Sequence, residues 1–270
     1  MSNTKIYEVV RYTGSRGCSL NFEVKLKVEG DTGQSYTCKR IFFHSVKDIG
    51  SAIREFKVFR RLLAANIQCP LIATLYHRFL IHDTPVLVMR MMSDKRLSSF
   101  CHSLSEGAAR FYIAEIMCAL EELHQLQIVH LDSKPANVCL QNSGHILLAD
   151  FYRSTDLTAE GHLTYIGDIS FVAPEFMNRV QVSIKADVFS LGMLMCDLVS
   201  NFPREVVGIQ KTIEQARSGM FRISNFSILS AALQQFFLEC CHINPNRRLT
   251  IGELKMNHFF EGLNGADDGY

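Results

Sequence analysis

The sequence predicts an α+β protein, an antiparallel β-sheet region carrying one helix followed by a larger, mainly helical region. Three observations predict it. Between Tyr7 and about Phe43, apolar and polar residues alternate with the period of half-buried strands. From Val46 to Asn66 the apolar spacing changes to that of a helix. Beyond Met92 helical patterns dominate, and 270 residues leave room for one large domain or two smaller lobes.

The first three strands are YEVVRY, FEVKLKVEG and SYTCKRIFF, an antiparallel meander. TGSRGCSLNF contains the turn after the first, and DTG (Asp31 to Gly33) turns the chain into the third. In VKDIGSAIREFKVFRRLLAAN, Phe56, Phe59 and Leu63 form a stripe expected to face a core, and Glu55 is the only Glu. LIATLYHRFLI and TPVLVMRMM read as two more strands and complete a five-stranded small lobe. LSEGAARFYIAEIMCALEELHQLQ then opens with Ser105 as N-cap and Glu106 in the first turn. Its expected apolar face is Phe111, Ile113, Ile116, Met117, Leu120 and Leu123, which supports the following loop from beneath. The last residues, EGLNGADDGY, read as a disordered tail.

Composition narrows the classes of function. A net charge of +1 makes no bulk electrostatic case for nucleic acid or an anionic membrane as partner. No apolar run approaches the roughly 18 residues of a membrane span. The start, MSNTKIYEVVRYTG, has no signal-peptide apolar region. The nine cysteines are scattered without a C-x-x-C pair, which speaks against a zinc site. They fit a reduced compartment, cytoplasmic or nuclear.

The chemistry concentrates in HLDSKPAN, His130 to Asn137, followed by Asp150 in LADFY eighteen residues after Asp132. Phosphoryl transfer from a metal-bound nucleotide needs this set of groups. One carboxylate accepts the proton of the attacking hydroxyl, a lysine neutralises the phosphoryl group, and an amide and a second carboxylate hold the metal. HLDSKPAN with ADF resembles the H-R-D-L-x-x-x-N and D-F-G motifs of eukaryotic protein kinases. VAPE (172–175), KADVFSLG with Asp187, NPNRRLT with Arg248 and MNHFF follow in kinase order, so the pattern runs from Tyr7 to Phe260.

The resemblance implies a bilobal protein kinase fold with an N-lobe at 1–91, a C-lobe at 92–260 and a flexible tail at 261–270. It implies ATP and Mg²⁺ as cofactors. Asp132 would be the general base or the group orienting the substrate hydroxyl, and Lys134 would stabilise the transferring phosphoryl group. Asn137 and Asp150 would hold Mg²⁺, a hard cation preferring oxygen. Lys39 in YTCKRI matches the V-A-I-K lysine that pairs with the α/β-phosphates, with Glu55 its ion-pair partner. Thr37 takes the usual Ala place against the adenine, Met89 lies at the back of the nucleotide pocket, and Arg90 to Met92 form the hinge that holds the adenine edge. By the same resemblance Asp187 ties down the catalytic-loop backbone and Arg248 pairs with Glu175. Gly14 fits the first position of a Gly-rich phosphate loop. The second is Arg16, or Gly17 with one residue inserted, and the third is Ser19 or Leu20.

The departures carry expectations of their own. Leu131 replaces the Arg that usually meets an activation-loop phosphate, so a binding partner rather than loop phosphorylation is the expected switch. Tyr152 replaces the Gly of D-F-G, whose backbone angles cost a side-chain-bearing residue roughly 1–2 kcal/mol. HLD with KPAN, Asp168 after Gly167 in GDISFVAPE, and KADVFSLG followed by NFPRE and IEQARSGMFRI look most similar to the Wee/Myt group, which phosphorylates the nucleotide loop of cyclin-dependent kinases. HLD and KPAN also occur in the Mos type, and the RFYIAEI–ALEELH pattern in basophilic AGC kinases. The resemblance therefore implies ATP-dependent phosphorylation of a Ser/Thr or Tyr hydroxyl in a protein substrate. A cyclin-dependent kinase or cell-cycle regulator is the expected substrate, and an activating protein subunit an expected partner. The alternative, favoured by Arg16, Cys18 and Tyr152, is a pseudokinase that binds partners as a scaffold.

Overall fold

The computed structural model describes residues 7–27, 33–159, 169–178, 180–199, 214–215, 217–218 and 226–262. Asp31, Thr32, Thr164, Gly167, Asp168, NFPRE, most of IEQARSGMFRI and the tail from Leu263 lie outside the described residues.

The alternating segments become β1 (Tyr7–Arg16), β2 (Ser19–Leu26), β3 (Ser35–Ile41), β4 (Leu75–Ile81) and β5 (Thr84–Arg90). They form one antiparallel sheet in the order β1-β2-β3-β5-β4. Alternation on β3 turns Thr37, Lys39 and Ile41 to the buried face. Cys38 faces the other way, against Val24, Val86 and Val88. The turn within TGSRGCSLNF is short. Strand pairing runs to Arg16 and Ser19, leaving Gly17 and Cys18 as the turn, and Gly17 has φ +53°. Such a two-residue turn matches the strand twist only with left-handed angles, which glycine adopts without strain.

Helix α1 (Val46–Ala64) opens on Ser45, whose hydroxyl accepts from the Asp48 N–H. Its buried face is Glu55, Val58, Phe59 and Leu62. The expected stripe is therefore out of phase: Phe59 is buried, Phe56 lies partly covered beneath the Arg78 guanidinium, and Leu63 is exposed. An ion pair from Glu55 to Lys39 and the edge of Phe59 against Phe151 set the rotation of the helix, and neither contact is local in sequence.

The larger lobe is mainly helical. Helix α2 (Glu106–Gln125) is capped by Ser105 as expected and buries Ala109, Ile113, Ile116, Met117, Leu120 and Leu123, while Phe111 stays exposed. Two short ribbons follow, β6 (Ile128–Val129) with β9 (Thr155–Asp156) and β7 (Val138–Leu140) with β8 (Ile146–Leu148). After α3 (Pro174–Met177), α4 (Lys185–Leu198) is buried on nearly every side. At Gly192 a Cβ would stand 2.6 Å from the Cys240 Cβ, so glycine lets α4 approach the helix Ala231–Cys240. The fold is bilobal α+β, a small sheet lobe with one helix over a larger helical lobe.

Candidate active site

The loop between β6 and β7 is held from below by a buried carboxylate. Asp187, in the first turn of α4, accepts the N–H of His130 at 2.8 Å and that of Leu131 at 2.8 Å, and meets His124 Nε2 at 2.9 Å. Burial alone would raise its pKa, but the His124 hydrogen bond, the two histidines and the backbone N–H together hold it below the ordinary 3.8. Leu131, clamped through its N–H, takes a left-handed φ of 61°. His130 Nε2 lies 3.1 Å from the Ala149 carbonyl, and Ser154 Oγ donates to the His130 carbonyl at 3.1 Å. These bonds tie the loop to the segment carrying Asp150.

That clamp presents Asp132, which is buried and has both carboxylate oxygens engaged. Asn137 Nδ2 donates to Oδ2 and to the Asp132 carbonyl, each at 2.6 Å. Arg153 donates to Oδ1 at 2.9 Å, and Lys134 Nζ stands 3.5 Å from the same atom. The sequence motifs predict Asp132, Lys134 and Asn137 together; they carry no signal for Arg153.

A second cluster lies toward the sheet. Lys39 Nζ is 2.8 and 2.9 Å from the two Glu55 oxygens and 3.3 Å from Asp150 Oδ1. Burial would lower the Lys39 pKa, but the two carboxylates outweigh it and hold the pKa above the ordinary value. Burial pushes the Glu55 pKa up, against the attraction of Lys39. Lys39, Glu55, Asp150, Gly17, Tyr152 and Arg153 line a cavity of about 140 Å³ between the hairpin, α1 and the Asp150 segment. Gly14 is not in that lining. It sits within the hairpin opposite Asn21, beside a register shift.

The strain expected at Tyr152 lies elsewhere. Tyr152 is in a 3₁₀ turn, Phe151–Arg153, and has no positive φ, whereas Asp150 takes φ 68°, ψ 63°. Phe151 is fully buried beside Phe59 and His130, so the chain bends at the residue before it. The Tyr152 ring lies 5.6 Å from Lys39 Nζ and 5.1 Å from the Arg153 guanidinium.

Met89 is buried at the sheet centre, paired with Thr37 on β3 and Leu75 on β4. Met92, just beyond β5, donates its backbone N–H to Thr37 Oγ1 at 2.8 Å. The chemical character of the donors suits a magnesium nucleotide. Asp150 offers a carboxylate, and Asn137, with Nδ2 turned to Asp132, has its amide oxygen as the end suited to a hard cation. Magnesium is commonly held by one or two protein oxygens plus phosphates, and Lys39 is a buried cation 3.3 Å from Asp150 Oδ1.

A family model described as the protein kinase domain matches residues 17–260. Ribosomal protein S6 kinase alpha-6 of Homo sapiens is 29% identical over 267 residues, covering 95% of this chain and 35% of that protein. Ribosomal protein S6 kinase beta of Caenorhabditis elegans is 28% identical over 269 residues, 94% of this chain and 48% of its own length. Serine/threonine-protein kinase polo of Drosophila melanogaster is 25% identical over 272 residues, 97% and 45%. The chain thus spans between about a third and a half of the length of these relatives.

Proposed function

The chain belongs to the protein kinase family, and from that premise we propose that it transfers the γ-phosphoryl group of ATP to a hydroxyl of a protein substrate. The observation that carries the proposal is the pair of clusters, Lys39–Glu55–Asp150 and Asp132–Lys134–Asn137, joined through the short segment Asp150 to Arg153.

Glu55 holds Lys39 extended toward the α/β-phosphates. Asn137 and Asp150 would hold Mg²⁺, which would supply neutralising charge to the phosphates. Asp132 orients the incoming hydroxyl and accepts its proton, and Lys134 faces the transferring group. Gly17 brings backbone near the phosphates, Gly14 shapes the hairpin behind it, and Met89 and Met92 border the nucleobase. Catalysis then comes from positioning and fixed charge, with no covalent intermediate on the protein.

Within the family we place the chain with the Wee/Myt group, on HLDSKPAN, GDISFVAPE and KADVFSLG. The S6-kinase and polo relatives support the wider family. The proposed substrate is a Ser/Thr or Tyr hydroxyl of a cell-cycle regulator such as a cyclin-dependent kinase, in cytoplasm or nucleus. Leu131 in place of Arg supports activation by a protein subunit. No helix among the described residues is long and apolar enough to cross a membrane. The lobes are assigned to 1–91 and 92–260.

The test is radiolabelled phosphate transfer by purified protein onto a mixed panel of protein substrates, with phosphoamino-acid analysis and Asp132→Asn as the inactive control. Transfer that survives in the control sinks the assignment. A second reading, a pseudokinase scaffold, is favoured by one contact, Arg153 on the carboxylate that must receive the substrate. It predicts no transfer, and no rise in Tm with millimolar ATP and Mg²⁺.

A further inference from the structure

We infer that Thr37 sets the affinity and base selectivity of the nucleotide site, because its hydroxyl holds the Met92 N–H that a nucleobase edge would otherwise take. The inference rests on the reading of Arg90 to Met92 as the hinge. Thr37 and Lys39 are two residues apart on β3, so both point to the buried face of the sheet, about 7 Å apart along the strand. Lys39 marks the phosphate end, and Thr37 therefore stands on the nucleobase side. Its Oγ1 accepts from Met92 N at 2.8 Å and donates to Met91 Sδ at 3.7 Å. Thr37 is 4% exposed and Met92 8%.

A buried backbone N–H needs a partner. An alanine at position 37 has no atom to offer, so the donor would wait for water or a ligand. Thr37 supplies the acceptor from within the protein, and its β-branched side chain has few rotamers in which to turn away. A base that accepts from Met92 must first break this bond. The exchange is close to neutral, so the donor adds little to binding. Nucleotides with and without an acceptor nitrogen at that edge should then bind alike.

The experiment measures the Kd of ATP and of 1-deaza-ATP, in which C–H replaces the edge nitrogen. Both are titrated with Mg²⁺ into wild type, Thr37→Val, Thr37→Ala and Thr37→Ser, with the nucleotide-free Tm of each. Valine keeps the shape of threonine without the hydroxyl. In wild type and Thr37→Ser the two nucleotides should bind within about twofold of each other. In Thr37→Val and Thr37→Ala the nucleotide-free Tm should fall, and ATP should bind roughly tenfold tighter than to wild type, the worth of about one hydrogen bond, while 1-deaza-ATP should not gain. Unchanged ATP affinity in both hydroxyl-free variants, with wild type still binding, overturns this inference and leaves the proposed kinase function standing. Weaker ATP binding in the folded hydroxyl-free variants also overturns it. If neither wild type nor any variant binds at millimolar nucleotide, the nucleotide-site reading fails and takes the inference with it.

Discussion

The catalytic loop and the sheet roof above it meet the same proposed nucleotide from opposite sides, yet the two are built differently. In the loop, the chemistry belongs to side chains, and the resemblance finds them in place: Asp132, Lys134 and Asn137, clamped by Asp187. In the roof, the family relies on bare backbone, glycines under the phosphates and a hinge N–H at the base. Those positions are the ones filled in. The hairpin is paired down to Arg16 and Ser19, and the Met92 N–H is taken by Thr37. Departures from the family thus fall on contacts made through backbone more than on those made through side chains. A backbone donor can be capped by one substitution nearby without altering the donor residue.

The strongest way to break this contrast is Asp132→Asn. If the loop does the chemistry, phosphate transfer should fall by about 10²–10⁴-fold in protein that circular dichroism shows to be folded. Turnover within threefold of wild type would put the loop on the same footing as the roof. Next in size is the frame that carries the loop. Arg248 is buried and donates to both Glu175 oxygens at 2.7 Å, so Arg248→Ala leaves an unpaired buried carboxylate. Urea unfolding should show a loss of about 3–5 kcal/mol, and a loss under 1 kcal/mol would make the pair incidental.

Asp187→Asn should cost about 1–3 kcal/mol at neutral pH, since one charged acceptor of two backbone N–H groups is gone. Its effect has a definite pH sign. The folded pKa of Asp187 lies below the ordinary 3.8, so its carboxylate contributes stability above that value and loses it as pH falls through the folded pKa. The gap between wild type and variant should therefore be full at neutral pH and shrink below about pH 4 in a series of thermal melts. A gap that widens in acid would contradict the clamp.

Smaller still is Arg153→Ala. Removing the guanidinium from Asp132 Oδ1 should raise kcat/KM for protein substrate about three- to fivefold, the range of a partly screened ion pair. A fall would mean that Arg153 positions the carboxylate instead of covering it. The smallest effect is expected from the triple change of Thr155, Thr158 and Thr164 to Ala. With Leu131 where a phosphate-binding Arg would stand, transfer activity should stay within about twofold, and a collapse would restore loop phosphorylation as the switch.

Much of this was legible from residue order alone. Five strands and the two long helices need only period and spacing, and the acids and lysines of the motifs come from the resemblance to protein kinases. The face of α1 is not legible from its apolar spacing: the Lys39–Glu55 ion pair and the Phe59–Phe151 contact choose the rotation that buries Glu55 and exposes Leu63. Phe111 belongs to the expected apolar face, yet it is exposed and the buried arc of α2 is completed by Ala109. The missing glycine predicts strain at Tyr152, but the left-handed residue is Asp150, beside the buried Phe151.

The sequence by itself determined which groups this protein has for chemistry and in what order they come, because a motif is a local property of the chain. The tertiary structure alone decided what some buried donors and acceptors meet: Arg153 on Asp132 and Thr37 on the Met92 N–H. Those pairings join residues 21 and 55 positions apart. A hydrogen bond forms wherever burial leaves two polar atoms no water, and that depends on packing that no local pattern encodes.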